Sequence, residues 1–172
     1  MDTVVDPDAL HQGMCKLRVE GKRIGFVPTM GFLHEGHLSL MRHARSQCDH
    51  LVVSIYVNPL QFGPGEDLDT YPRDHDGDAR KCAAETVDTL FLPPQLYHPD
   101  HSTSVSVAEL TRRLCGESRV GHFDGVTTVV ARLFGLVQPN IAVFGEKDYQ
   151  QLAVIQRMVR DLSMNIEVVG AP

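Results

Sequence analysis

Short apolar runs alternate with amphipathic stretches from residue 22 to the end of the chain, and this alternation constrains the fold more than any other feature. Runs typical of strands occupy residues 22–30, 50–58, 87–94, 140–148 and 165–172. The run HLVVSIYVN at 50–58 is apolar almost throughout, as in strands buried on both faces of a parallel sheet. Strands that alternate with helices predict an α/β fold with a largely parallel sheet and right-handed crossovers.

Apolar residues at helical spacing fill the gaps between these runs. They predict helices over residues 33–48, 74–86, 125–138 and 149–162. Residues 58–74 are rich in Gly, Pro and Asp and are interpreted as a long functional loop. Residues 102–110 are predicted as a short edge strand and residues 109–115 as a helical turn. The 172 residues, 42% of them hydrophobic, suit a single domain, and no linker divides residues 1–172.

Charge and composition argue against several classes of protein. The net charge of −6 disfavours a general nucleic-acid binder, and no run of 18 apolar residues suggests a membrane span. The N-terminal stretch MDTVVDPDAL is acidic and lacks the order of a secretory signal. The four cysteines form no CxxC pair, which disfavours a zinc ribbon and favours reduced thiols in a cytoplasmic protein.

Three polar segments follow predicted strands, at residues 28–37, 58–62 and 145–151. In open parallel sheets, ligands bind beyond the carboxyl ends of the strands. Segments that are far apart in the sequence are therefore predicted to converge on one site.

His34 and His37 lie in the first of these segments, where a strand is predicted to give way to a helix. A metal site is disfavoured, because HEGH is not the HExxH motif and no third ligand is evident. The two histidines could instead cap the helix or fill space. A third interpretation is an anion site, since Gly31 and Gly36 allow close approach of a ligand and the helix N-terminus favours phosphate. This last arrangement suits the charge that develops as pyrophosphate leaves a nucleoside triphosphate.

The segment PTMGFLHEGHLSL resembles the HxGH signature of the nucleotidyltransferase and class I aminoacyl-tRNA synthetase superfamily. Together with VSIYVNPLQFGPGEDLDTYPRD, GHFDGVTTVVARLF and FGEKDYQQLAVIQRMVRDL, it resembles the pantoate–β-alanine ligase family. The resemblance runs from about Lys22 to the last residue, in four blocks in the family's order. It implies a Rossmann-like parallel sheet with helices on both faces, of the HxGH nucleotidyltransferase type.

The resemblance also implies an activity. The family condenses pantoate with β-alanine at the expense of ATP, through a pantoyl adenylate, and releases pyrophosphate and then AMP. Magnesium accompanies the triphosphate, and no tightly bound cofactor or protein metal ligand is implied. The expected partners are ATP, pantoate, β-alanine and a second copy of the chain in a homodimer, with no nucleic acid and no membrane.

The site residues implied by the resemblance fall into four groups. His37, His34 and Lys147 are the expected catalytic residues, with His37 as the proton donor. The ATP site would comprise Met30, Gly31, Phe32, Leu33, His34, Glu35, Gly36, His37, Gly145, Glu146, Lys147 and Asp148. Gln61 and Gln151 would bind pantoate, and Gln61 would also help to place β-alanine. Asn58 would support the pocket floor, and Arg119 is a weaker candidate for a phosphate contact.

The acidic run 74–78 is interpreted as a solvated helix start rather than a metal cluster. The sequence departs from the family at two residues, since Phe32 replaces a smaller residue and Val120 replaces a usual Pro. The family continues into a second, lid-forming domain that residues 1–172 lack, so this chain is expected to be its N-terminal domain with reduced or no turnover. The alternatives are a non-catalytic nucleotide-binding module, an adenylyltransferase that acts on a phosphorylated substrate, and a metalloprotein that uses HEGH.

Overall fold

The computed structural model describes residues 1–63, 65–66, 68–111 and 114–172, and the predicted α/β fold is confirmed. The strands are β1 (Asp2–Val4), β2 (Ile24–Thr29), β3 (His50–Ile55), β4 (Thr89–Phe91), β5 (Ile141–Gly145) and β6 (Glu167–Ala171). The helices are α1 (Pro7–Val19), α2 (Glu35–Arg45), α3 (His75–Ala84), α4 (Cys115–Ser118), α5 (His122–Val137) and α6 (Tyr149–Asp161). Single 3-10 turns cover Pro59–Gln61 and Glu146–Asp148.

Within the described residues, the six strands form one sheet in the order β1-β4-β3-β2-β5-β6, and every neighbouring pair is parallel. The chain builds outward from β2 to β3 and β4, and then crosses to the other side of β2 to add β5 and β6. The direction of winding therefore reverses between β2 and β5. This is the place where open α/β sheets bind their ligands.

Helices cover both faces of the sheet, as the resemblance implied. One apolar cluster joins α1, α5 and α6 to the sheet through residues such as Leu10, Phe134 and Ile155. The other joins α2 and α3 to the opposite face through residues such as Met41 and Cys82. Both clusters are well buried, so the sheet is a rigid base for the loops at its edge.

The predicted edge strand at residues 102–110 is wrong. Residues 101–107 form no regular element, and the N–H and C=O of Val105 bond to the hydroxyls of Thr128 and Thr127 on α5. The backbone of Val105 thus bonds to a helix, and the segment pairs with neither of the edge strands, β1 and β6, that the described residues form. The predicted helical turn at 109–115 is in part a turn that leads to α4, and Arg112 and Arg113 lie outside the described residues.

The sequence pattern assigned no element to residues 1–21, where the structure has β1 and α1. A start signal for α1 was present, since Asp6 caps the helix with its carboxylate and Pro7 is its first residue. The long loop predicted at 58–74 is present apart from its 3-10 turn, although Pro64 and Asp67 lie outside the described residues. No helix in the described part of the chain is both long and apolar enough to cross a lipid bilayer.

Candidate active site

A cavity of about 170 Å³ lies beyond the carboxyl ends of β2, β3 and β5. It draws its lining from all three polar segments that the sequence singled out. The residues that line it are Pro28, Thr29, Met30, His37, Tyr56, Gln61, Val126, Val129, Val130, Leu133, Phe144, Asp148 and Gln151. The structure therefore brings Met30, His37, Gln61, Asp148 and Gln151 together at one place.

The cavity opens where the ladder between β2 and β5 ends. β2 pairs with β3 along its whole length, but it pairs with β5 at Gly25 and Phe26 and then stops. The carbonyl of Ile24 accepts a hydrogen bond from Asn140, on the β5 side, and that of Thr29 accepts one from Tyr56, on the β3 side. Because the backbone groups of successive strand residues point to opposite sides, those of residue 28 point toward β5. That residue is Pro28, which has no N–H to donate. A proline thus ends the ladder at the point where the two strands begin to flank the cavity.

The two histidines cap helix α2 and one another. His34 is the N-cap, and its Nδ1 accepts the N–H of Gly36 at 3.1 Å. The Nδ1 of His37 accepts the N–H of His34 at 3.3 Å, and the two ring centroids are 4.2 Å apart. His37 lines the cavity, whereas His34 is exposed beside it. The capping interpretation is therefore correct for both rings, and it leaves their Nε2 atoms free for a ligand.

These bonds also fix which nitrogen carries the proton. A backbone N–H can only donate, so Nδ1 must be the acceptor in both rings and a neutral ring carries its hydrogen on Nε2. Burial lowers the pKa of His37, and the neighbouring His34 lowers it further. Asp78 and Asp148 act against this lowering, while Lys147 adds to it. His37 is consequently biased toward a neutral Nε2–H donor that faces the cavity.

The side chain of Gln61 is oriented by a chain of hydrogen bonds that begins at Asn58. Asn58 is 1% exposed; its Oδ1 accepts from the N–H of Leu60, and its Nδ2 donates to the carbonyl of Gly125 at 3.0 Å. The same Nδ2 donates to Gln61 Oε1 at 3.2 Å, so the NH₂ group of Gln61 points the other way. That NH₂ group lies 3.1 Å from the sulfur of Met30, in the cavity wall. Asn58 thus turns Gln61 into a donor toward a ligand.

Helix α5 approaches the turn that carries Gln61 very closely. A Cβ on Gly125 would lie 2.2 Å from the carbonyl oxygen of Leu60 and 2.6 Å from the Cα of Gln61, so only glycine fits there. Further along, Val126, Val129 and Val130 of α5 form an apolar wall of the cavity. Sequence reasoning predicted this helix but did not assign its valines to the site.

Arg119 is engaged in an ion pair rather than directed into the cavity. Its Nε and one of its terminal nitrogens donate to the two oxygens of Glu66 at 2.8 and 2.9 Å. Arg119 lowers the pKa of Glu66 to about 2 and is the largest cause of that shift. Its other terminal nitrogen donates to Nε2 of His122, whose Nδ1–H donates to the carbonyl of Gln61 at 2.8 Å. Arg119 therefore links the loop at Glu66 to the residue that bears the cavity amide.

The segment after β5 contributes Asp148 and, from the first turn of α6, Gln151. Lys147 does not line the cavity, but it is exposed and close enough for its charge to lower the pKa of His37. Gly145 and Glu146 flank the same turn without lining the cavity. Gly31, Phe32 and Leu33 form the turn before α2, and Glu35 and Gly36 are the first two residues of that helix; none of the five lines the cavity. Glu35 pairs with Arg42 at 2.6 Å.

The interpretation of residues 74–78 as a fully solvated helix start is wrong for Asp78. This carboxylate is 1% exposed and accepts the N–H groups of Phe32 and Leu33 at 2.7 and 2.8 Å. No sequence signal distinguishes it from the exposed Asp76, because its burial depends on a turn 45 residues earlier. Among the described residues, no group of three or more His, Cys, Asp or Glu side chains is arranged to hold a metal ion.

Comparison with known proteins gives a consistent set of relatives. The family model described as pantoate-beta-alanine ligase matches residues 2–172. The chain is 52% identical, over its whole length, to a pantothenate synthetase of Desulfatibacillum aliphaticivorans. It covers 62% of the length of that relative.

Solved structures with the same fold include two of particular use. The pantothenate synthetase of Thermus thermophilus superposes with a TM-score of 0.95 at 50% identity, over 100% of this chain and 62% of that one. The pantoate-beta-alanine ligase of Francisella tularensis superposes with a TM-score of 0.94 at 39% identity, over 100% of this chain and 67% of that one. The latter structure is a complex with beta-gamma ATP and beta-alanine.

Proposed function

The chain belongs to the pantoate-beta-alanine ligase family, and we propose that its cavity binds ATP and pantoate for the ATP-dependent condensation of pantoate with β-alanine to pantothenate. The observation that carries this proposal is the composition of the cavity. The lining combines an imidazole donor, His37, two amides, Gln61 and Gln151, and an apolar wall. This lining suits an anionic phosphate at one end and a branched hydroxy acid at the other.

The pantoate end of the cavity is neutral and partly apolar. Pantoate carries two methyl groups on one carbon, and Val126, Val129 and Val130 offer them an apolar surface. The NH₂ group of Gln61 would donate to a pantoate oxygen, with Gln151 opposite. Neutral amides hold a carboxylate with less ground-state stabilisation than an arginine would, so the carboxylate stays nucleophilic.

The phosphate end lies at the start of α2. The partial positive charge of the helix N-terminus and the two Nε2–H groups of His34 and His37 would receive phosphate oxygens. Lys147 would add a mobile positive charge from the other side, and Asp148 would accept a ribose hydroxyl. The complex of the Francisella tularensis relative with beta-gamma ATP and beta-alanine supports nucleotide binding in this family.

The proposed reaction has two steps. An oxygen of the pantoate carboxylate attacks the α-phosphorus of ATP; the new P–O bond forms as the bond to the bridging oxygen breaks and pyrophosphate leaves. His37 would donate its Nε2–H to the phosphate oxygens, whose negative charge grows during this step. The amine of β-alanine then attacks the acyl carbon of pantoyl adenylate, loses a proton and expels AMP.

Magnesium fits this site as a companion of the triphosphate. Mg²⁺ usually keeps several waters and is held by substrate phosphates with one or two carboxylates, rather than by a protein cage. An ion of this kind would enter with ATP and would need no cage of protein ligands. Bound with ATP, the ion would neutralise part of the phosphate charge.

Pantoate-dependent exchange of labelled pyrophosphate into ATP tests the first step alone. We expect slow exchange that requires pantoate and is lost in His37→Ala. In Gln61→Glu, where a second carboxylate would repel that of pantoate, the exchange should need a higher pantoate concentration. Calorimetry on the same proteins should show that His37→Ala still binds pantoate. The charge-matched control for Gln61→Glu is Gln156→Glu. Gln156 is exposed, and its side chain donates to the carbonyl of Val168.

The alternatives give different results in these assays. ATP binding without pantoate binding or pantoate-dependent exchange would favour a non-catalytic nucleotide-binding module. Pyrophosphate release that depends on a phosphate ester instead of pantoate would favour an adenylyltransferase. Either result would overturn the proposed ligase.

Three further expectations belong to the same proposal. We propose that residues 1–172 form one domain, that the chain forms a homodimer, and that it acts in the cytoplasm. A single cooperative unfolding transition, sedimentation at twice the monomer mass and cell fractionation would test them in turn.

A further inference from the structure

A buried carboxylate on α3 reaches across to the turn that precedes the two histidines. Asp78 is 1% exposed, and its Oδ2 and Oδ1 accept the N–H groups of Phe32 and Leu33 at 2.7 and 2.8 Å. A buried charge persists only where such donors compensate for the loss of water. The turn and the carboxylate therefore depend on each other.

The turn itself is strained and needs such support. Gly31 and Phe32 both have left-handed backbones, with φ of +87° and +51°. For Phe32 this conformation is unfavourable, and its ring is 55% exposed, so packing contributes little to holding it. A Cβ on Gly31 would come within 2.8 Å of Ile55 and 3.1 Å of the Asp78 carboxylate, so the turn packs closely against both side chains.

Helix α3, which carries Asp78, also binds a carbonyl of the turn. Lys81, one turn after Asp78, donates from Nζ to the carbonyl of Leu33 at 2.6 Å. Helix α3 thus binds two N–H groups and one carbonyl of residues 32–33. The next residue is His34, the N-cap of α2, so this turn determines where the helix starts.

We propose that Asp78 is a positioning residue of the proposed adenylation site: it locks the 31–33 turn so that α2 begins at His34 and presents the Nε2–H of His37 to the cavity. The catalytic part of this inference rests on the proposed function. The geometric part does not, because it concerns the ligand-free protein.

The charge of Asp78 also acts on His37 directly. Several influences set the pKa of His37 from the elements around it: burial, His34 on its own segment and Lys147 after β5 lower it, whereas Asp78 on α3 and Asp148 after β5 raise it. Removal of the Asp78 charge should therefore lower the pKa of His37 further. Loss of stability alone would not move this value in a folded protein.

The test compares Asp78→Asn with Asp76→Asn by NMR of the ligand-free chain. Both variants remove one negative charge from α3, but Asp76 is exposed and outside the turn. In Asp78→Asn the amide NH₂ would face one of the two N–H donors, so we expect shifted Phe32 and Leu33 amide signals and a lower His37 pKa. In Asp76→Asn both should match the unmodified chain. Equal His37 titration and unshifted amides in the two variants would overturn the proposal.

A second measurement needs no variant, in case Asp78→Asn does not fold. The N–H groups of Phe32 and Leu33 precede a helix and would exchange quickly with water if unbonded. Hydrogen exchange of the unmodified chain should show both protected, with rates close to those of β2. Rapid exchange at both positions would likewise overturn the proposal.

The rate of pyrophosphate exchange into ATP tests the catalytic part of the proposal. Displacement of the histidines should lower pantoate-dependent pyrophosphate exchange by about 100-fold, as expected for a misplacement of the order of 1 Å. Pantoate affinity should stay unchanged, since Gln61 and Gln151 lie on other elements. If the unmodified chain shows no exchange, the proposed function fails while the NMR results still decide the role of Asp78. If the unmodified chain catalyses pyrophosphate exchange and Asp78→Asn does so equally well, only the positioning role is wrong.

Discussion

Asn58 donates from Nδ2 to Gln61 Oε1 at 3.2 Å, and this single bond decides that Gln61 offers an NH₂ group to the cavity. Asn58 is itself fixed by two backbone groups, an N–H and a carbonyl, that admit one orientation of its amide. The Tyr97 hydroxyl donates to the same Oδ1 at 3.0 Å. A buried residue outside the cavity lining thus determines which group a residue of the lining presents.

Asn58→Asp should disrupt this chain without changing the shape of the side chain. A second oxygen would face the carbonyl of Gly125 and Oε1 of Gln61, both acceptors. We expect a loss of about 1–3 kcal/mol in the free energy of unfolding, the cost of unsatisfied buried polar groups, and weaker pantoate binding. Urea denaturation and calorimetry measure the two effects. The control is Asn140→Asp, because among the described residues the side chain of Asn140 bonds through Oδ1 alone, which accepts the N–H of Ile24. Equal losses in both variants would contradict the account.

Two glycines of α5 should respond oppositely to alanine. Gly125→Ala would drive a methyl group into the backbone of Leu60 and Gln61, so we expect a loss of about 1–3 kcal/mol and impaired pantoate binding. A methyl group on Gly135 would meet no atom of the described residues within 4 Å, so Gly135→Ala should gain up to about 1 kcal/mol from helix propensity. Thermal unfolding of both variants tests this; similar changes at the two sites would show that α5 does not press on the turn.

Glu66→Gln should separate two roles for Arg119. If the ion pair supports the loop that carries Gln61, the variant should bind pantoate more weakly and ATP unchanged. If Arg119 contacts phosphate, its release from Glu66 should instead tighten ATP binding. The structure favours the first outcome, because Arg119 and His122 connect Glu66 to the carbonyl of Gln61. The pair is partly exposed, so the free energy of unfolding should change little in this variant.

The lowered pKa of His37 makes the stability of the chain depend on pH. The unfolded histidine binds a proton near pH 6.5, whereas the folded one resists it, so protonation favours unfolding. Stability from this group is present above pH 6.5 and decreases as the pH falls through the unfolded and then the folded pKa. Denaturation at about pH 5.5 and 7.5, on either side of the unfolded pKa, should show a smaller pH effect in His37→Gln than in the unmodified chain. His50 and His122 also have lowered pKa values and supply the residual dependence in the variant.

Nitrogen-15 NMR of the imidazoles provides a companion measurement for the same prediction. His37 should show the neutral tautomer with hydrogen on Nε2 above about pH 7, and a neutral His34 ring should carry its hydrogen on the same atom. A hydrogen on Nδ1 of His37 would contradict its bond from the N–H of His34.

Much of this architecture could be predicted from the sequence because it depends on local pattern. Each of the five apolar runs contains one of the strands β2 to β6, and the segments after β2, β3 and β5 do meet at one cavity. The strand predicted at 102–110 is wrong because Val105 bonds to the hydroxyls of Thr127 and Thr128 on α5, and a local pattern cannot reveal partners so distant in the sequence. β1 has three residues, too few for alternation to be visible.

The supporting contacts were hidden for a different reason. Asp76 and Asp78 look alike in the sequence, and only the fold shows that one of them meets two N–H groups from before α2. The resemblance implied Arg119 as a weaker candidate for a phosphate contact, but its contacts with Glu66 and His122 are set by the path of the loop. Such pairings join distant residues, and neither periodicity nor composition records them.

Because Pro28 ends the ladder between β2 and β5, the sheet has a seam, a stretch where its two central strands lie side by side without backbone pairing. On one side stand β2, β3 and the histidines; on the other stand β5, β6 and Gln151, and beyond Phe26 no ladder pairing joins the two central strands. A molecule that touches both His37 and Gln151 would bridge this seam and supply cohesion that the sheet omits. Occupancy and rigidity at this edge are therefore coupled, so that filling the cleft should also tighten the protein around it.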